Sequence, residues 1–222
     1  MILPHKDVLS RPPVSLAQQV YERLRDAIIT GSLAPGARLV ELDLARQMGT
    51  SQGPVRDALY RLERDGLVQR QARSATFVSA IIPAEMYELF QVRSLIEGFA
   101  VRRAIAHLTP ERLAELQALV AAMRAAGAAD DLALLVRYDL EFHRRICVWS
   151  GSAGLVLAWD PLYSQIQRFV VQTHKPYFRD VLEIAETHQP IVDVLAAGDA
   201  DAAEQVIREH IMLIWGRMAA PG

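Results

Sequence analysis

Four side chains in the C-terminal half have the types and spacing to hold a metal ion. Asp139 and His143 stand four residues apart, so on a helix both project from one face. His188 and His210 fall on later helical segments that a compact bundle can bring opposite that face. One carboxylate and three imidazoles suit a divalent transition metal such as Zn, Ni or Mn, with positions left open for water or a ligand. Spacing alone leaves a second reading open, in which these are ordinary hydrogen-bonded histidines. Cys147, one further turn along from His143, reads as a small buried apolar residue. His5, His107 and His174 show no partner, and Trp149, Trp159 and Trp215 read as core or pocket lining.

Metal-assisted hydrolysis would also need a general base beside the ion. Glu141 is the nearest carboxylate, but two residues amount to about 200° around a helix and turn it away from both ligands. No HExxH arrangement occurs, so the expectation is that the chain is not an enzyme.

A second constellation occupies residues 50–66, TSQGPVRDALYRLERDG. Ser51 suits an N-cap, and Pro54 suits the first turn of a helix. Val55, Ala58, Leu59 and Leu62 recur as one apolar stripe, and Gly66 stands where the helix stops. The other side carries Gln52, Arg56, Tyr60, Arg61 and Arg64. A short helix with a buried stripe and a Gln/Arg-bearing N-terminal end is what reading the DNA major groove requires, and Gly53 leaves room for close approach.

The elements that must position these residues fall in two groups. Residues 1–14 contain three prolines and read as a flexible arm. A helix runs from Ser15 to Gly31, Pro35-Gly36 turns, a short helix covers 39–48, and Gly49 leads into the helix at Ser51. Residues 67–70 and 76–79 look like two strands around a turn containing Arg73, a wing whose tip can touch phosphate or the minor groove. From Pro83 onward the pattern is helical throughout. The first long helix covers 85–108, with Leu89, Val92, Ile96, Phe99 and Ala100 expected inward. Further helices are expected over 110–127, 130–149, 155–174, 178–197 and 199–218, with Pro190 marking a later start or a kink in the fifth. The expected fold is mainly α: an N-terminal winged helix-turn-helix of three helices plus a β-hairpin wing over 15–80, then an all-α helical bundle over 83–218.

Composition agrees with that division. Residues 1–79 hold 11 Lys+Arg against 8 Asp+Glu, and residues 80–222 hold 13 against 18, so a net +3 precedes a net −5. A basic module joined to an acidic one fits nucleic-acid binding by the first. No apolar run reaches membrane-spanning length, and no signal-peptide core opens the chain. A single cysteine excludes an intrachain disulfide framework and points to a reducing cytoplasm.

Residues 15–80 resemble the winged-helix domain of the GntR family of bacterial transcription regulators. The matching words are VYERLRDAIITGSLAPGARL, ELDLARQMG, SQGPVRDALYRLERDGLV and the closing FV. Residues 85–215 resemble the FCD ligand-binding domain of the FadR-like branch, on VRSLIEGFAVRRA, YDLEFHRRI and ETHQPIVDVLAAGDADAAEQVIREHI. The resemblance implies that Arg38 and Arg56 hold DNA phosphates or base edges, and that Ser51, Gln52 and Gly53 face the groove. It also implies that Asp139, His143, His188 and His210 hold a divalent metal. Arg93 matches the arginine that binds an effector carboxylate, although a salt bridge with Glu97 one turn on is its alternative use. The chain departs from the family at Leu42 and Gln52, where arginine is usual, at Ala75, where glycine is, and at Ser152, where asparagine is. Glutamine pairs naturally with adenine and arginine with guanine, so a different operator preference is expected. The implied partners are double-stranded operator DNA, a small carboxylate effector and a second copy of the chain, with no membrane.

Overall fold

A computed structural model describes residues 14–71 and 75–219. Most of the expected arm, and Arg73 at the expected wing tip, lie outside the described residues.

Ser15 opens α1 (Leu16–Ile29), its hydroxyl accepting from the Gln18 N–H at 3.1 Å. A two-residue strand, β1 (Arg38–Leu39), precedes α2 (Glu41–Met48). Gly49, at φ +64, makes the left-handed turn into α3 (Gln52–Arg64). Ser51 stands at the N-cap of α3, but its side chain makes no capping hydrogen bond. Strands β2 (Val68–Gln71) and β3 (Ala75–Val78) pair antiparallel, and β1 pairs with the far edge of β3, giving the order β1-β3-β2. Val20, Leu24 and Ile28 of α1 pack against Val55, Leu59 and Leu62 of α3, all buried. The helix expected over 39–48 therefore begins two residues late, because Arg38 and Leu39 join the sheet. A two-residue strand is too short to show alternation in sequence.

Eight α-helices follow: α4 (Pro83–Ile105), α5 (Pro110–Ala128), α6 (Leu132–Trp149), α7 (Ala153–Trp159), α8 (Tyr163–Thr173), α9 (Val181–Glu186), α10 (Gln189–Ala197) and α11 (Ala200–Ala219). Thr109 caps α5 and Asp131 caps α6 through side-chain oxygens. The helix expected over 155–174 is divided by a 3-10 turn at Asp160–Leu162, where Pro161 withholds an N–H. That expected over 178–197 breaks at Thr187-His188, and Pro190 sits in the first turn of α10.

One expectation holds only in part: Ala100 of α4 is buried and Leu89 and Ile96 pack against the core, but two of the five residues expected inward do not. Val92 and Phe99 of α4 point outward, 50% and 57% exposed, with Leu95 beside them at 56%. The inward row is Met86, Phe90, Arg93, Glu97, Ala100 and Val101. Two charged residues interrupt that row, so a hydrophobic pattern alone also draws in Val92 and Phe99 from the solvent side.

Helix α8 joins the two halves of the chain. Arg25 of α1 donates to the Ser164 hydroxyl at 3.1 Å and also bonds Gln167. Gln172 donates to the Ile28 and Ile29 carbonyls at 2.7 and 3.1 Å, and Arg168 donates to the Ser79 carbonyl at 2.8 Å. Helix α8 thus holds the end of α1 and the chain leaving β3 at once. Among the described residues, no helix is long and apolar enough to cross a membrane.

The tightest helix contact predicts a measurable cost. A Cβ added at Gly127 of α5 would lie 2.9 Å from the Leu182 Cα on α9, whereas one at Gly216 would meet nothing within 4 Å. Gly127→Ala should destabilise the protein by ~1–3 kcal/mol through forced backbone movement. Gly216→Ala should be neutral or stabilising by up to ~1 kcal/mol. Thermal unfolding of the two variants checks the contrast.

Candidate functional site

The structure brings Asp139, His143, His188 and His210 together, with one ligating atom from each lying within 4.8 Å of the others. Asp139 and His143 share the inner face of α6. His188 occupies the break between α9 and α10, and His210 comes from α11. Each imidazole is oriented through its other nitrogen. His143 Nδ1 lies 2.5 Å from Glu97 Oε2, His188 Nδ1 3.1 Å from the Ile184 carbonyl, and His210 Nδ1 3.2 Å from the Thr187 carbonyl. Those oxygens accept hydrogen bonds, so each Nδ1 carries a proton; His143 and His210 turn Nε2 toward each other, and His188 turns its Nε2 toward the Asp139 carboxylate.

The three Nε2 atoms converge. His188 Nε2 stands 2.8 Å from Asp139 Oδ1, and His143 Nε2 stands 3.2 Å from His210 Nε2. Burial pushes the His143 and His210 rings below their usual values, which keeps them neutral. The His143 and His210 lone pairs face each other with no proton between them and repel unless a cation shares them. Ligands bonded at about 2.0–2.1 Å to one ion lie about 3 Å from each other, close to the 2.8 and 3.2 Å of these two pairs, and the whole set falls within 4.8 Å. The donor set therefore fits a divalent transition metal, with imidazoles oriented by second partners as such ions require.

Glu97 ties this cluster to the rest of the domain. It is fully buried and accepts from Arg93 Nε at 2.6 Å, from Trp159 Nε1 at 2.7 Å and from His143. Burial alone would push its carboxyl up. The Arg93 guanidinium and the His143 ring outweigh that and hold the group at about 2, below its usual 4.5. Sequence reasoning had Glu97 only as a rival partner for Arg93, and its bonds to helices α6 and α7 were not legible.

Beside the cluster lies a cavity of about 40 Å³. Arg93, 4% exposed, uses Nε for Glu97 and leaves Nη2 buried without a partner along the cavity wall. Both expected uses of Arg93 are thus compatible. His174, for which the sequence offered no partner, lines the same cavity. Glu141 is elsewhere: it pairs with Arg145 at 2.7 Å and borders the charged cleft between the two halves of the chain. Cys147 is buried in the core, and burial pushes its thiol up, away from ligand chemistry.

At the other end of the molecule, Arg38, Ser51, Gln52, Gly53 and Arg56 are exposed on one face of the N-terminal domain. A Cβ at Gly53 would meet only the Ser51 hydroxyl, at 3.9 Å, so nothing inside the fold demands glycine there. Arg38, Gln52 and Arg56 border a surface cleft of about 610 Å³ together with Leu42, Tyr60 and Arg70. Arg56 is held from behind by Glu41, at 3.0 and 3.1 Å, and Arg70 stacks on Tyr60 at 3.8 Å. Arg70 escaped sequence reasoning, although its place on a strand flanking the expected wing was a usable signal.

The three-way bonding of Glu97 predicts an acid-dependent loss of stability. Glu97→Gln, which puts an amide NH2 among three donors, should cost roughly 3–5 kcal/mol. A carboxyl with a lowered folded-state value contributes fully above its usual 4.5, and the contribution is lost as pH falls toward about 2. The gap between wild type and variant should therefore narrow across that window in urea unfolding followed as a function of pH.

Comparison with known proteins places these features in a family. Residues 16–78 match the family model for bacterial regulatory proteins, gntR family, and residues 88–212 match that for the FCD domain. The probable D-xylose utilization operon transcriptional repressor of Paenarthrobacter nicotinovorans is 30% identical over 197 residues, covering 89% of this chain and 86% of that protein. The solved structure of Escherichia coli McbR/YncC is similar at a TM-score of 0.74 and 26% identity, over 92% of this chain and 99% of its own. A GntR regulator from Rhodococcus sp. RHA1 gives 0.73 and 25%, over 93% and 99%. These relatives are transcription regulators, not enzymes. With a winged helix ahead of an FCD domain, this chain belongs to the GntR family of bacterial transcription regulators, in its FadR-like architecture.

Proposed function

We propose that this regulator binds operator DNA as a homodimer in the cytoplasm, and that a small carboxylate held at a divalent metal in the FCD domain controls that binding. The observation that carries the effector half is the convergence of three imidazole nitrogens and the Asp139 carboxylate within 4.8 Å of one another, each ring fixed by its own Nδ1 partner. A divalent ion held by Asp139, His143, His188 and His210 supplies a Lewis-acidic position for a ligand oxygen. The free Nη2 of Arg93 supplies a charge-assisted hydrogen bond to the same carboxylate.

The DNA half rests on the exposed start of α3. Arg38 and Arg56 serve phosphates or base edges, Ser51, Gln52 and Gly53 enter the groove, and Arg73 reaches DNA from the wing. Arg70 joins them as a phosphate contact, since its guanidinium is steadied by Tyr60 at the edge of the same cleft. Operator half-sites about one helical turn apart require two copies. The exposed row Val92, Leu95 and Phe99 on α4 is an apolar surface that a second copy would cover.

Binding-site selection on the purified protein should return an enriched motif. Arg56→Ala should weaken binding to every duplex, whereas Gln52→Arg should move base preference at one position by ~1–3 kcal/mol. Failure to enrich any sequence at moderate salt would defeat the operator reading. Elemental analysis should find about one divalent metal per chain in the wild type and far less in His188→Ala. Equal, negligible metal in both would make the cluster a purely structural one.

A further inference from the structure

The cavity beside the histidine cluster has more chemistry on its walls than a carboxylate alone uses. About half of its lining is apolar, from side chains such as Phe90, Val170, Ile184 and Ile214. Two polar groups stand apart from the cluster itself: Arg93, with an unpartnered donor, and His174, 6% exposed at the C-terminal end of α8. The Thr187 hydroxyl also reaches the cavity, but its proton is given to the Ile184 carbonyl at 2.7 Å.

The local bonds of His174 define what it can recognise. The Thr173 hydroxyl donates its single proton to the Phe169 carbonyl at 2.6 Å. Its oxygen, 3.2 Å from His174 Nδ1, must therefore accept, so the ring proton resides on Nδ1. Nε2 is left as an acceptor with no hydrogen-bond partner among the described residues. Phe169 and Phe178 flank the ring, at 5.4 and 6.1 Å between centroids, and fix its plane. Burial pushes His174 down to about 3, so the ring is neutral near pH 7 and attracts no anion.

We propose that His174 is the specificity-determining residue of the effector cavity, selecting small acids that carry a hydroxyl donor over unsubstituted acids and over diacids. This inference rests on the carboxylate reading above. With the acid group on Arg93 and the cluster, the ligand's second polar group meets a lone acceptor. A hydroxyl donates to it. A second carboxylate presents only acceptors there and is repelled, and a methyl leaves the buried Nε2 unsatisfied. The cavity of about 40 Å³ favours small ligands.

The test is calorimetric titration of the full-length, metal-bearing protein with two matched pairs, glycolate with acetate and 3-hydroxypropionate with propionate, and with malonate. The wild type should bind the hydroxylated member of at least one pair about tenfold more tightly than its partner, and malonate more weakly than either. His174→Phe should bring that ratio close to one, even where the larger ring weakens both members of the pair. A ratio that persists in His174→Phe would mean that the cluster, not His174, senses the hydroxyl, and would overturn the inference. His174→Gln, whose amide oxygen can accept, should keep part of the preference and guards against a variant that fails to fold. Binding of all five acids with equal affinity, or malonate preferred, would overturn the role of His174 and leave the carboxylate reading standing. Failure of every acid to bind metal-bearing protein would overturn both.

Discussion

The C-terminal domain depends on one buried carboxylate. Glu97 on α4 takes hydrogen bonds from Arg93 on its own helix, from His143 on α6 and from Trp159 on α7. A carboxylate with no exposure is tolerable only with such complete pairing, since burying an unpaired charge costs several kcal/mol. The same three bonds set the site. They fix the tautomer of His143, aim the Arg93 side chain along the cavity, and lock α4 against the helix that carries Asp139.

Helix α8 gives that site a physical route to the DNA-binding domain. Val170 lies on the cavity wall and Phe169 packs into the core, while Arg168 and Gln172 hold carbonyls of the N-terminal domain. Helix α8 therefore touches both the cavity wall and the segments that place α1 and the chain after β3. A ligand acts as a switch only through unequal affinity for two such placements. The polar contacts across this junction suit that role: hydrogen bonds to main-chain carbonyls can be exchanged for water at small net cost, whereas an apolar core contact cannot.

The surface around the start of α3 is organised on similar lines, with two of its cations placed by neighbours. Glu41 at the start of α2 holds Arg56 at the start of α3, and Tyr60 supports Arg70. Exposed pairs of this kind contribute little stability. Their effect is to limit the orientations of long side chains before DNA arrives, which lowers the entropy lost on binding.

Much of this was determined by sequence alone. Short-range rules located both domains: the turn glycine at 49, the prolines at 83 and 190, and the apolar stripe of α3. The four-residue spacing of Asp139 and His143 put both on one face, and the same spacing joined Arg93 to Glu97. What the tertiary structure decided was every fact that depends on a neighbour distant in the chain. The strand β1 exists because β3 lies beside it, and the inward face of α4 is set by Glu97 meeting His143 and Trp159, against the apparent hydrophobic pattern. His174 reads in sequence as an isolated histidine and stands in the cavity only because α8 and α11 pack there. Periodicity along a helix records which residues share a face, but which face is buried depends on pairing energies between segments tens of residues apart, and these are not encoded in local spacing.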